Sequence, residues 1–306
     1  MENTKSCGAK NSMKISLIVT TKNESETIST LLNSIAKQTR RPDEVIIADA
    51  HSTDDTWQKA SKSGLPGLAL IGVGDVNRAV GRNKAIKQAS YEHILITDAG
   101  CRLKNTWVEE MIKGFEKADV VAGFYESEAK TVFEKCVAPY ALVMPDKIDT
   151  NTFLPATRSM GITKKKWEKV GGFNENYRYA EDYEFARRIQ KAKISIAVAP
   201  KAIVYWQPRG DFQSFARMIY EHAFGDGYAR TFRPKVLTIY GRYILFIVLG
   251  LLHWTLGSVL FGIYILYSIQ KNYRYVNDVR ALGILPLLQI ISDGAVMWGT
   301  VSGLLK

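Results

Sequence analysis

The sequence lacks the short signatures that would tie it to a common cofactor. It has no G-x-G-x-x-G, no Walker lysine motif, no G-x-S-x-G and no C-x-x-C. Their absence removes the dinucleotide fingerprint, the phosphate loop, the serine-hydrolase elbow and the dithiol redox motif. The four histidines, His51, His93, His222 and His253, have no zinc-like spacing. Cysteine is scarce: Cys7, Cys101 and Cys136 are odd in number and far apart. They read as free thiols in a reducing compartment. Met1 to Lys14 is polar with no apolar core, so no cleaved signal peptide is expected. Internal repeats and low-complexity tracts are also missing.

What is present is a large apolar fraction, 46% of 306 residues, which allows a sizeable core. The net charge is +11, which favours an anionic partner. With no nucleic-acid-binding motif, phosphate-bearing substrates and acidic lipids are better matches than RNA or DNA. From Ile15 to about Tyr125, short β-rich runs alternate with helical periodicity. Ile15–Thr20, Val45–Asp49, Leu68–Val73, Ile94–Asp98 and Val120–Phe124 read as strands. Helices are expected after a Ser25 cap, after an Asp54 cap, from about Asn77 to Ala89, and around Trp107 to Phe115. This alternation predicts right-handed crossovers and a mostly parallel α/β sheet. Further on, helices are expected near Val132 to Leu142, Lys164 to Val170 and Glu181 to Lys191, with a strand at Ser159 to Thr163.

Acidic residues close several of these runs. Asp49 and Asp98 end apolar strands, where open α/β sheets bind ligands. Asp49 is suited to a nucleobase imide, although a turn-and-cap role explains it equally well. Thr20-Thr21-Lys22-Asn23-Glu24 has the same two readings. Arg78, Arg82, Lys84 and Lys87 lie on or near one helix, where most such charges solvate a face; Arg82 is the one expected to approach a diphosphate. Asp98 is placed to bind Mg²⁺ or Mn²⁺, which keep several waters and need few protein ligands. Glu181-Asp182 opens a helix, where acids complement the dipole or, in the functional reading, one serves as general base.

Beyond about residue 236 the composition changes. Tyr243 to Ile269 holds no formally charged side chain, and ~20 apolar residues span a hydrocarbon core. Leu282 to Leu305 is a second apolar stretch. Basic clusters flank the first run on both sides: Arg230, Arg233, Lys235 and Arg242 before it, Lys271, Arg274 and Arg280 after it. Because basic residues prefer the cytoplasmic side, a hairpin broken near His253 to Gly257 is expected, shallow or re-entrant.

Together these segments resemble family 2 glycosyltransferases of the GT-A fold. The carrying stretches are Ile15-Ser-Leu-Ile-Val-Thr-Thr-Lys-Asn-Glu-Ser, Asp49-x-x-Ser-Thr-Asp-Asp-Thr, Gly81-Arg-Asn-Lys-Ala, Thr97-Asp-Ala-Gly, Val170-Gly-Gly-Phe-Asn-Glu and Glu181-Asp182. Trp206-x-Pro-Arg, Gly225-Asp-Gly and the apolar segments resemble membrane-associated prokaryotic members. The resemblance implies that Thr21, Glu24 and Asp49 hold the base, that Asp98 binds the metal on the sugar diphosphate, and that Asp182 is the base of an inverting displacement. It further implies that Arg209 closes over the diphosphate. Two departures stand out: Asp98-Ala99-Gly100 lacks the second carboxylate of D-x-D, and the Q-x-x-R-W of processive synthases is missing. The implied activity is transfer of one sugar (hexosyltransferase-type) from a UDP- or GDP-sugar to a lipid-linked or other membrane acceptor, at the cytoplasmic face of a plasma membrane. A non-catalytic membrane-bound nucleotide-sugar sensor is the alternative. The implied division is a flexible 1–13, a GT-A domain 14–228 with its nucleotide-sugar half at 14–125 and acceptor half at 126–228, and a membrane-associated helical region 229–306. Oligomeric state is left open.

Overall fold

The computed structural model describes residues 13–149, 152–231 and 233–306. Cys7 and, apart from Met13, the expected flexible N-terminus lie outside them. By internal contacts the chain forms two compact units. One runs through Tyr125 and takes in Asp149–Glu175 and Phe185–Tyr205; the other comprises Glu126–Ile148, Asn176–Glu184 and Trp206–Lys306.

The first unit is built on β1 (Ile15–Thr21), α1 (Ile28–Ala36), β2 (Glu44–Asp49), α2 (Thr56–Ser61), β3 (Leu68–Gly72), α3 (Arg78–Gln88) and β4 (His93–Asp98). The order β3-β2-β1-β4 is parallel throughout. Near-continuous runs of buried Ile, Leu and Val in β1, β2 and β4 are what a sheet covered on both faces requires. The chain winds outward from β1 to β3 and then returns beside β1 as β4. This reversal makes a switch point at the carboxyl ends of β1 and β4.

Next come β5 (Cys101–Leu103), α4 (Trp107–Phe115), β6 (Val120–Ser127), α5 (Val132–Ala141), β7 (Met160–Thr163), α6 (Lys164–Val170), α7 (Glu181–Lys191) and β8 (Ile196–Trp206). The eight-stranded order is β3-β2-β1-β4-β7-β6-β8-β5. β7 runs antiparallel to both β4 and β6, so the sheet is mixed and its uninterrupted parallel part is β3-β2-β1-β4. Two local expectations shift. The residue before α1 is Thr27, with no side-chain cap, and Ser25 instead donates its amide to Asp54. The N-cap of α2 is Asp55, also with no side-chain cap; Asp54, expected in that place, lies one residue earlier and accepts the Thr56 amide at 3.0 Å in a local turn.

The second unit holds α5 and the helices α8 (Phe212–Tyr228), α9 (Pro234–Leu252), α10 (Trp254–Tyr273) and α11 (Ala281–Leu304). α9 and α10 break at His253, as the charge pattern requires, and form an antiparallel hairpin. Its register shows in three contacts: Arg242 lies over the Tyr264 ring at 4.0 Å, Phe246 is 5.6 Å from Phe261, and a Cβ on Gly257 would meet the Gly250 amide nitrogen at 2.7 Å. Asp293 of α11 ties the hairpin down, accepting from the hydroxyls of Tyr264 at 2.5 Å and Tyr243 at 3.1 Å and from the Gln289 amide at 3.0 Å. Two helical stretches, Lys235–Leu252 and Ala281–Leu304, are long and apolar enough to cross a membrane. Among the described residues, all the exposed large apolar side chains except Trp57, Val143, Phe212 and Tyr228 lie beyond residue 236.

Candidate active site

Thr21 and Asp49 are register partners at the ends of β1 and β2, and Asp98 sits opposite Thr20 at the end of β4. The sheet therefore brings three of the expected site residues to one edge. The loops beyond them are fastened by side chains. The Asp49 carboxylate accepts the Ser52 amide at 2.8 Å and the Ser52 hydroxyl at 2.6 Å. Ser52 Oγ in turn takes the Asn23 amide at 2.9 Å, and Asn23 Oδ1 takes the Thr53 amide at 2.8 Å. Asn23 and His51 adopt left-handed backbone, φ 55° and 63°, and both loops bend sharply there. Asp49 thus does organise a turn, yet each carboxylate oxygen keeps acceptor capacity for a ligand. Thr21 Oγ1 is buried with no hydrogen-bond partner, a state that costs free energy until a partner arrives.

At the end of β4, Arg82 donates to Asp98 at 2.9 Å. Arg82, expected to approach a diphosphate, is almost wholly enclosed, its side chain 2% exposed against 33% for Asp98. Its guanidinium stands 5.6 Å from the centre of the Phe173 ring. The pair is held from behind by α3: Asn83 donates to the Phe173 carbonyl at 2.8 Å and accepts its amide at 2.9 Å. Burial alone would raise the Asp98 pKa, but the positive charges of Arg82, Arg78 and Arg158 outweigh it and hold the carboxyl below its usual range.

A divalent cation must be judged against this donor set. Among the described residues no group of three or more His, Cys, Asp or Glu is gathered as for a metal. Gly100 leaves a space, however, and a Cβ built there would lie 3.6 Å from Glu24 Oε2 and 3.9 Å from Oε1. The Glu24 carboxylate, oriented by the Thr27 hydroxyl at 2.6 Å, thus stands beside the position where a second D-x-D carboxylate would begin. One or two carboxylates plus substrate oxygens suffice for Mg²⁺ or Mn²⁺, so the residues fit such an ion.

In the second unit, Asp182 lies in the first turn of α7 and accepts the Tyr183 amide at 2.8 Å. The turn before it is pinned by α8. Ala180 has φ 57°, and a Cβ on Gly225 would come within 2.7 Å of the Tyr179 carbonyl oxygen. Beside this contact Asp226 is buried, and Arg233 reaches it at 2.7 Å through Nε and 3.2 Å through the guanidinium end. The same guanidinium covers the Tyr183 ring at 4.4 Å. Burial raises the Asp226 pKa despite Arg233, and the charge of Asp182 adds to the rise. Sequence reading left this pair unassigned, counting Arg233 among membrane-flanking charges; the Gly225-Asp-Gly triplet was the available signal. Arg209 is exposed on the loop after β8 and makes no hydrogen bond or ion pair among the described residues. Cys101 and Cys136 are free and buried, and burial pushes the Cys101 thiol up to about 12, which makes it inert at neutral pH.

Comparison with known proteins agrees with this arrangement. Glycosyl transferase family 2 matches residues 16–165, from β1 through β7. The chain is 27% identical to the uncharacterized glycosyltransferase YwdF of Bacillus subtilis, over 66% of this chain and 78% of that one. It is 25% identical to the O-antigen chain rhamnosyltransferase RfbN of Salmonella typhimurium, over 66% and 70%. The crystal structure of S. aureus TarS, residues 1–349, superposes with a TM-score of 0.51 at 19% identity, covering 95% of this chain and 91% of that one, and shows the GT-A fold. The chain belongs to the family 2 glycosyltransferases, and its activity is glycosyl transfer.

Proposed function

We propose that this enzyme is an inverting transferase that moves one sugar from a UDP- or GDP-sugar to a lipid-linked or other membrane acceptor at the cytoplasmic face of the plasma membrane. The observation that carries the donor half is the strand-end edge, where an orphaned Thr21 hydroxyl, the Asp49 carboxylate and Asp98, paired with Arg82 of α3, lie at the ends of neighbouring parallel strands. Thr21 and Asp49 take the base. Asp98 and Glu24 hold a divalent cation, which when bound neutralises charge on the diphosphate. The Asp182 carboxylate removes the acceptor hydroxyl proton, the oxygen attacks the anomeric carbon, and the bond to the diphosphate breaks with inversion. Arg209 meets the charge on the departing diphosphate.

The exposed apolar hairpin supports the membrane acceptor. Its uncharged arm in α9, Tyr243–Leu252, is ten residues, ~15 Å of helix, about half of the ~30 Å hydrocarbon core. Both charged ends lie at the base of the hairpin, as the cytoplasmic preference of basic residues requires. The O-antigen name of one relative supports a glycan acceptor and places a rhamnosyl donor in the test panel.

The test is consumption of nucleotide sugars by detergent-solubilised protein with Mn²⁺ or Mg²⁺ and membrane lipid extract. Asp182→Asn is expected to lower transfer by roughly 100-fold or more while nucleotide binding stays unchanged. Loss of both would remove Asp182 from the role of base. Donor binding without turnover in the wild-type protein would favour the sensor reading.

A further inference from the structure

The base of the α9–α10 hairpin carries an unbalanced charge. Four arginines in this part of the second unit each have a carboxylate: Arg233 with Asp226, Arg242 with Asp293, Arg274 with Asp146, and Arg280 with Asp278. Three lysines there, Lys147, Lys235 and Lys271, form no ion pair among the described residues. They come from three separate elements: Lys147 from the short 3₁₀ turn Pro145–Lys147, Lys235 from the first turn of α9, and Lys271 from the last turn of α10.

The hairpin register sets two of them level. Arg242 over Tyr264 and Phe246 opposite Phe261 continue downward to place Lys235 opposite Lys271. Lys147 stands over Tyr275, its Nζ 5.4 Å from the ring centre, and Tyr275 lies two residues beyond the end of α10. The charges of Lys147 and Lys271 act on Lys235, and those of Lys147 and Arg242 act on Lys271, so the group is mutually close. The nearest carboxylates are already engaged. Asp146 takes Arg274 at 2.6 Å and the Tyr275 hydroxyl at 2.7 Å, and Asp293 takes two tyrosines and Gln289.

We propose that Lys147, Lys235 and Lys271 form a binding site for a terminal phosphate or diphosphate borne on a lipid chain, the anionic end of the acceptor. Lysine binds phosphate as a point charge. Three of them without an ion-paired carboxylate, Asp293 acting on Lys235 and Lys271 only at longer range, match a group carrying two or more negative charges better than the single charge of a phosphodiester headgroup. The uncharged arms of the hairpin follow further along, beyond Arg242 in α9 and before Lys271 in α10, with exposed Ile244, Leu245 and Leu266 along which an acyl or isoprenoid chain can run. This inference rests on the membrane-acceptor reading above.

The experiment is flotation of the full chain with three vesicle sets: phosphatidylcholine alone, phosphatidylcholine with a long-chain isoprenoid diphosphate, and phosphatidylcholine with phosphatidylglycerol at matched charge. Wild type is expected to prefer the diphosphate set. The triple variant Lys147→Gln/Lys235→Gln/Lys271→Gln is expected to lose roughly 100-fold in that affinity, about fivefold per lysine, with its melting temperature and nucleotide binding unchanged. A triple Arg variant should keep the preference. Undiminished binding by the Gln variant overturns the site; equal wild-type affinity for phosphatidylglycerol makes the occupant the bilayer and overturns the acceptor assignment. Nucleotide-sugar consumption, measured in parallel, separates this failure from that of the transferase reading, because vesicle binding does not require turnover.

Discussion

Gly100 offers a direct test at the residue scale. If the Glu24 carboxylate substitutes for the missing second acid, Glu24→Gln should weaken Mn²⁺-dependent nucleotide binding about tenfold, in the range seen when metal-site partners are removed. Titration calorimetry with and without Mn²⁺ measures it. Adding Gly100→Asp to that variant should restore the metal dependence, since the Cβ meets nothing closer than the Glu24 carboxylate at 3.6 Å. No restoration would return Glu24 to a purely base-holding or loop-fastening role. Among single residues, the strand-end positions of Asp49 and Asp98 were legible because each acid closes an apolar run. The enclosure of Arg82 was not, because helix periodicity alone does not tell a solvated arginine from one that Phe173 and Asp98 receive. The Asp226–Arg233 pair was hidden for a related reason: the two residues lie on opposite sides of a helix end that sequence alone did not locate.

Elements were legible where their residues carry one clean period. β1, β2 and β4 are mostly apolar runs and were placed within about a residue of their ends; β6, expected over Val120–Phe124, extends three residues further, to Ser127, where its sequence turns polar. β8 went unread because Pro200-Lys201 interrupts its alternation, both residues being exposed between buried neighbours. α8 went unread because Gly225 and Gly227 count against a helix interior. Close approach explains them both. A methyl on Gly225 would strike the Tyr179 carbonyl and the Ala180 side chain, and one on Gly227 would strike the Thr300 carbonyl at 2.5 Å. Gly225→Ala is therefore expected to displace the turn ahead of Asp182. Steady-state kinetics should show kcat reduced about tenfold or more, consistent with misplacement of a catalytic group, with donor affinity retained. Full activity in this variant would show that the turn tolerates movement. The direction of β7 was also beyond sequence: four buried residues read alike whichever way they run.

For the whole molecule, titration behaviour follows from how its carboxylates are engaged. Asp54 is lowered to about 2, chiefly by the Thr56 hydroxyl, and Asp278 to about 2, chiefly by the Arg280 side chain. Asp98 is lowered by its arginines against the opposing effect of burial. Groups with depressed folded pKa values contribute stability that is complete above their unfolded values and is lost as pH falls through the folded ones. Asp226 has the opposite sign, because burial raises it. The lowered groups outnumber it, so the melting temperature should be flat from about pH 6 to 8 and fall steadily between about pH 4 and 2. Differential scanning fluorimetry across that range would check it, and a melting temperature that rose on acidification would contradict the balance.

The close contact of α8 with α11 bears on how this enzyme can evolve and be engineered. Gly227 meets Thr300, Gly299 meets the Tyr220 carbonyl, and Gly303 meets Phe224, so the two helices touch backbone to backbone along a Gly-x-x-x-Gly seam. α11 is therefore a wall of the unit that holds Asp182 as well as an apolar helix. On the membrane reading proposed above, exchanging it for an unrelated apolar helix of equal length would keep the anchorage and lose the wall. A lineage that gave up such an anchorage would have to rebuild that wall before it could discard the helix.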